Sequence, residues 1–120
     1  ESHINFDADI TLVEGAIDCI YGNNTIALLG KTLGPDDELF KTLKEKANAN
    51  IIICLDQDTK LNETKRIYRL LDRGRLRGHI RYIRMEKYKD FGETYEAGGR
   101  ANIIKLLQSQ NTFSEIELLI

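Results

Sequence analysis

The sequence lacks residues that several classes of protein require. Its 120 residues include no tryptophan, one proline, two cysteines and two histidines. So few isolated cysteines and histidines exclude a zinc site with the usual number of ligands, and Cys19 and Cys54 are expected to be core residues in a reducing compartment. No apolar run approaches the roughly 20 residues of a membrane span, and no signal peptide opens the chain. We therefore expect a cytoplasmic protein with no membrane partner.

The charge is divided unevenly along the chain. Residues 1–64 carry 12 acidic and 5 basic side chains, whereas residues 65–120 carry 7 acidic and 12 basic ones. Eight of these bases fall between residues 65 and 84. The first half suits cations and the second suits phosphates. An ordinary charged surface is the alternative.

The central stretch is Ile51 to Asp58, with the sequence I-I-I-C-L-D-Q-D. Its continuous apolar part is typical of a strand that is buried on both faces of a parallel sheet. Asp56 and Asp58 follow it one residue apart, so they point the same way if the chain stays extended. Neighbouring like charges repel each other, and a bound cation removes that cost. A solvated turn is the alternative.

The hydrophobic pattern predicts strands that alternate with helices. The strands are Ile10–Val13, Thr25–Leu29, Ile51–Leu55 and Ile80–Met85, and the last long helix is interrupted at Gly98 and Gly99. This order predicts a three-layer α/β/α fold with a four-stranded, mainly parallel sheet. The domain spans residues 10–108. Residues 1–9 are a polar extension or a cloning remnant, and residues 109–120 are a linker and the start of a further helix in a longer protein.

Functional groups in such sheets lie at the carboxyl ends of the strands. In this sequence the residues at those ends are Glu14, Gly30, Asp56, Asp58, Lys89 and Asp90. Asp18, one turn after Glu14, is either a solvated helix residue or a metal contact. Carboxylate oxygens are hard ligands, so a set of only Asp and Glu selects Mg²⁺ or Mn²⁺.

Four segments in this order resemble the Toprim domain. They are L-V-E-G-A-I-D at residues 12–18, A-L-L-G-K-T-L at 27–33, D-Q-D at 56–58, and Lys89-Asp90. The resemblance is strongest to bacterial and phage-type DNA primases. It implies that Glu14, Asp56 and Asp58 are catalytic and that, with Asp90, they bind Mg²⁺ or Mn²⁺.

Two departures from the primase pattern mark a divergent member. Gly92 occupies the position of a second acid, so that ligand role is vacant or has passed to Glu93. Thr59-Lys60 follows Asp58 where many primases have Ala-Gly.

Other residues have predicted supporting roles. Lys31 and Lys89 are candidates for phosphate or nucleotide contact, and Gly15 and Gly30 for structural turns. The candidates for nucleic-acid contact within the basic stretch are Arg73, Arg75 and Arg77.

The resemblance implies a nucleotidyltransferase that makes RNA primers on single-stranded DNA. Its partners are the template and nucleotides, bound through the full-length protein, with other domains of the chain and a replicative helicase. We expect the fragment to be inactive alone. A Toprim nuclease or topoisomerase, with Glu14 as acid or base, is the first alternative. A non-catalytic module that binds nucleic acid or protein is the second.

Overall fold

A single parallel sheet organises the chain. The computed structural model describes residues 3–29 and 33–119, without the side chain of Glu115. The strands are β1 (Ile10–Val13), β2 (Thr25–Ala27), β3 (Ile51–Ile53) and β4 (Ile80–Tyr82). All three pairings are parallel, in the order β2-β1-β3-β4. The prediction of four parallel strands with the central stretch inside the sheet is confirmed. Gly30 and Lys31 lie outside the described residues.

Helices cover both faces of the sheet. They are α1 (Asp18–Tyr21), α2 (Glu38–Lys46), α3 (Leu61–Arg73), α4 (Phe91–Leu107) and α5 (Glu115–Leu119). Ile51, Ile53 and Leu55 belong to a core that includes residues of α2 and α3. Ile52 and Cys54 belong to a second core that includes residues of α1 and α4. The three-layer α/β/α fold is confirmed, and β3 is apolar throughout because both of its faces are covered. Among the described residues, no helix is long and apolar enough to cross a membrane.

Helix α4 is broken where the two adjacent glycines predict. Gly99 has a φ of 68° inside the helix, in the left-handed region that glycine adopts without strain. The side-chain amide of Asn102 donates a hydrogen bond to the carbonyl of Thr94 at 3.1 Å across the break. A Cβ atom on Gly98 would lie 2.7 Å from Asn102 Cγ, so a larger residue here would displace the Asn102 side chain.

Both terminal segments pack against the domain. Phe113 is buried and stacks on Tyr82 with 3.9 Å between ring centroids, and the backbone of Asn111 pairs with that of Tyr82. Residues 109–113, predicted as a linker, therefore contribute to the core, because the ring of Phe113 fills space beside α3 and β4. Ile4 and Phe6 pack against the same core. The domain limits themselves stay predictions.

Candidate functional site

The parallel strands bring the predicted acids to one edge of the sheet. Glu14 follows β1, Asp56 and Asp58 follow β3, and Asp90 follows β4. Glu14 Oε1 accepts hydrogen bonds from the backbone amide of Asp56, at 2.7 Å, and from the hydroxyl of Thr59. Glu14, which follows β1, therefore holds the loop that follows the neighbouring strand β3.

The loop that carries Asp56 and Asp58 is also fastened on its other side. The backbone amide of Gln57 donates to the carbonyl of Lys89 at 2.9 Å. The side-chain amide of Gln57 donates to the carbonyl of Glu86 at 2.7 Å. Since these carbonyls belong to the segment after β4, three strand ends are linked through one short loop.

Asp56 lies in a strongly acidic environment. The pKa of its carboxyl group is raised to about 6, mainly by burial and in addition by the nearby charges of Glu14, Asp18, Asp90 and Asp58. The acids predicted from separate strands therefore lie close enough for their charges to act on Asp56 together, in one shared electrostatic field. A raised pKa of this origin is common at functional sites.

Asp18 is buried, with 6% of its surface exposed. Burial is the main cause that raises the pKa of its carboxyl group, and the charge of Asp90 adds to it. The nearby backbone amides of Gly15, Gly92 and Phe91 act in the opposite direction and lower that pKa. The interpretation of Asp18 as a solvated helix residue is therefore wrong, because this side chain joins the turn after β1 to the first turn of α4.

Asp90 is the N-cap of α4. Its Oδ1 atom accepts from the amide of Glu93 at 3.0 Å, while Glu93 Oε1 accepts from the amide of Lys89 at 2.8 Å. A Cβ atom on Gly92 would lie 3.3 Å from Asp90 Oδ1, so the glycine leaves room for this cap. Both acids therefore stabilise a helix terminus. Their roles as metal ligands stay predictions.

The acids at this edge offer the ligand atoms that a divalent cation prefers, but their present arrangement does not bring three of them close together. The acids supply only oxygen ligands, as Mg²⁺ and Mn²⁺ prefer, and Asp58 is exposed. In the part of the chain that the structure describes, no three acidic, histidine or cysteine side chains are grouped closely enough to hold a metal ion. Glu14 and Asp90 each accept a hydrogen bond from a backbone amide of the protein.

The basic stretch lies mainly away from the acids. Helix α3 starts near the carboxyl edge and ends at Arg73, so its 13 residues place Arg73 about 20 Å away along the helix axis. Arg77 donates to the carbonyls of Glu45, at 2.9 Å, and Ala47 at the end of α2. Arg73 and Arg75 are exposed. Contact of these arginines with nucleic acid stays a prediction.

Arg84 is the arginine of this stretch that reaches the acidic edge. It follows β4 and, with Asp56, Gln57 and Thr59, lines a pocket of about 70 Å³. Its side chain is exposed, as is that of Lys89. Gly15 lies in the turn after β1, where its carbonyl accepts from the amide of Asp18 at 3.1 Å.

Thr59, Gln57 and Arg84 contribute to the site but are not among the site residues that the sequence predicts. In the sequence, Thr59 is only a departure from the primase pattern. Its position one residue after Asp58 was the available signal, because a hydroxyl there can donate to an acid of the neighbouring strand.

The fold and the site together define a class, which is a parallel α/β domain with an acidic carboxyl edge suited to divalent cations and phosphate chemistry. The model of the Toprim-like family matches residues 11–95, and the chain belongs to this family. Comparisons with curated proteins and with solved structures found no match. Membership indicates a metal-binding domain of enzymes that act on nucleic acids.

Proposed function

We propose that the chain is the metal-binding catalytic domain of a DNA primase, which transfers ribonucleotides to a growing primer on single-stranded DNA. The observation that carries the proposal is the convergence of Glu14 and the Asp56–Asp58 loop at one edge, with a pKa of about 6 for Asp56. The primase-type spacing of Glu14, Gly15 and Asp18 supports the finer assignment.

The acids and the cations have distinct roles in this proposal. Asp56 and Asp58 bind Mg²⁺ or Mn²⁺, and Glu14 positions their loop and completes the ligand set. A bound ion supplies Lewis-acid stabilisation of charge on the phosphoryl group. Arg84 and Lys89 contact phosphate oxygens, and Arg84 is favoured because its guanidinium donates in a planar fork.

The proposal implies partners beyond the domain itself. These are the single-stranded template, the ribonucleotides, other domains of the same chain and a replicative helicase. Primer synthesis needs template and nucleotide surfaces besides the acidic edge, so the activity belongs to the natural protein that contains this chain.

Activity measurements on that natural protein test the proposal. Ribonucleotide incorporation on a single-stranded template is compared for the wild type, Glu14→Gln and Asp56→Asn, with Asp72→Asn as matched control on an exposed residue of α3. We expect each active-site change to lower incorporation by about a hundredfold or more, since each removes a charge that acts on the transition state. The control should retain full activity.

Two outcomes contradict the primase assignment. Cleavage of the DNA that requires the same acids, with no RNA product, supports a nuclease or topoisomerase. Nucleic-acid binding with neither reaction supports a non-catalytic module.

A further inference from the structure

A second pocket lies outside the acidic edge, between the segment after β4 and the second half of α4. Its volume is about 230 Å³, and Met85, Tyr88 and Leu106 contribute apolar surface to its lining. An apolar cavity of about 150 Å³ accommodates benzene, whereas sites for drug-sized ligands start at about 300 Å³. The pocket is therefore large enough for one heteroaromatic ring system and too small for two.

The break in α4 shapes this pocket and fixes one polar group in it. Thr94 and Asn102, which flank the break, both line the pocket. The side-chain nitrogen of Asn102 donates to the carbonyl of Thr94, at 3.1 Å, and to the hydroxyl of Tyr88, at 3.4 Å. Since both amide hydrogens are directed to the protein, Asn102 Oδ1 is left as an acceptor for a ligand.

The charged groups at the pocket favour an anion. Lys87 and Lys105 both line it and are exposed, while Glu86 is the one acid in the lining. Two cations against one anion leave a net positive charge. A lysine ammonium carries three donors on a flexible stem, which suits a phosphate held at the rim.

We propose that this pocket binds a single nucleobase together with its 5′-phosphate. The base lies against Tyr88 and Leu106, and the phosphate contacts Lys87 and Lys105. Asn102 Oδ1 accepts from an exocyclic amino group, so adenine and cytosine bind better than uracil. The same chemistry is offered by a free nucleotide and by a residue within a single strand.

The pocket is physically linked to the acidic edge. The carbonyl of Glu86, in the pocket lining, accepts from the side chain of Gln57 between Asp56 and Asp58. The site is nevertheless separate, because its ligand groups are an amide, an aromatic ring and two amines rather than carboxylates. It therefore binds its nucleotide without a divalent cation.

NMR titration of the ¹⁵N-labelled chain in EDTA tests this inference, because chelation removes metal-dependent binding at the acids. The probes are AMP, CMP, UMP, adenosine and a short single-stranded oligodeoxyadenylate. We expect saturable shifts at the Asn102 side-chain amide and the Leu106 backbone amide. AMP and CMP should bind severalfold more tightly than UMP, and AMP more tightly than adenosine.

Variants separate the phosphate contact from non-specific attraction. Lys105→Ala should weaken the binding of AMP by about twofold to fivefold, which is the effect of losing an exposed ion pair. The same change should leave the binding of adenosine unchanged. Arg100→Ala removes a nearby exposed cation outside the pocket lining and should change neither. Because Asn102 also bridges the helix break, its own shift in the wild type reports the base contact.

The outcomes decide the inference and the source of the ligand. Tighter binding of the oligonucleotide with the same shifts indicates a strand, and tighter binding of AMP indicates a free nucleotide. Either result supports the site. Shifts confined to other surfaces, equal affinity for AMP and UMP, or equal losses in Lys105→Ala and Arg100→Ala overturn it.

Discussion

Glu14 accepts a hydrogen bond from the backbone amide of Asp56 at 2.7 Å, and this contact joins the ends of two neighbouring strands. It follows from the pairing of Leu12 with Ile53, because the side chain two residues beyond Leu12 meets the backbone three residues beyond Ile53. Glu14 is thus both an acid of the site and a support for the loop that carries the other acids.

Thr59 strengthens this support, so its removal should weaken the fold. Thr59→Ala removes the hydroxyl that donates to Glu14. We expect the free energy of unfolding in urea to fall by about 1 kcal/mol, since the acceptor is charged but only partly buried. Thr59→Ser keeps the donor and is the matched control. Equal stability of the wild type and both variants would show that the contact contributes nothing.

Asp56 should make stability depend on pH in a direction unusual for a carboxylate. Its pKa is about 6 in the folded chain against 3.8 for an unperturbed aspartate, so the folded state binds the proton more tightly between these values. Stability from this group is therefore present below pH 4 and is lost as pH rises through 6. The effect is modest, because Asp56 is partly solvated.

Urea unfolding in metal-free buffer at pH 4 and pH 7.5 measures this dependence. Asp56→Asn should unfold at higher urea than the wild type at pH 7.5 and at a similar concentration at pH 4. Asp72→Asn, on an exposed acid at the other end of α3, is the control. A wild type that is the more stable protein at pH 7.5 would show that Asp56 is not under repulsion.

The strand order and the acidic edge were predictable because both depend on local pattern and general topology. Five apolar residues before Asp56 identify a doubly covered strand, and parallel strands place their carboxyl ends together. The contacts between the acids were not predictable. Asp18 is engaged by Phe91 and Gly92, more than 70 positions later, and no local pattern carries that pairing.

The role of Asp18 predicts a difference between two substitutions. Asp18→Ala removes a buried carboxylate that lies near the backbone amides of Phe91 and Gly92, and it should cost about 1–3 kcal/mol of unfolding free energy. Asp18→Asn keeps one acceptor oxygen and should cost less. Because the charge of Asp18 raises the pKa of Asp56, both changes should lower that pKa in an NMR titration. An unchanged pKa of Asp56 would contradict the shared field.

The basic stretch shows what a count of charges leaves open. Eight bases in twenty positions suggest a phosphate surface, yet several donate to the protein itself. Arg69 donates to the carbonyl of Leu118, Arg66 pairs with Glu63, and Arg77 contacts the end of α2. Composition fixes the sign of the charge, whereas the direction in which α3 runs decides which arginine reaches the acids.

Arg77 should therefore matter for stability and Arg73 for surface charge alone. Arg77→Ala removes donors to the carbonyls of Glu45 and Ala47, and we expect a loss of about 0.5–1.5 kcal/mol in urea unfolding. Arg73→Ala, on an exposed side chain at the end of α3, should cost less than about 0.5 kcal/mol. Equal stability losses in the two alanine variants would contradict the difference in their roles.

A contact of the exposed pair Arg73 and Arg75 with nucleic acid has its own test. Arg73→Glu with Arg75→Glu in the natural protein should then weaken binding of nucleic acid and flatten its salt dependence.

Divalent metal should stabilise the fold through Asp56 and Asp58. A ligand that binds only the folded state at ten times its dissociation constant adds about 1.4 kcal/mol, which raises Tm by several degrees in a domain of this size. The measurement is Tm against Mn²⁺ concentration. The double variant Asp56→Asn with Asp58→Asn should lose this increase, yet be at least as stable as the wild type in EDTA because repulsion is removed.

Two further variants are the comparison for this result. Asp90→Asn should lose less of the Mn²⁺-dependent increase in Tm, since its carboxylate caps α4. Asp72→Asn should respond as the wild type does. An equal rise in Tm for the wild type and the double variant would mean that the metal binds elsewhere, and the catalytic assignment of these acids would fail with it.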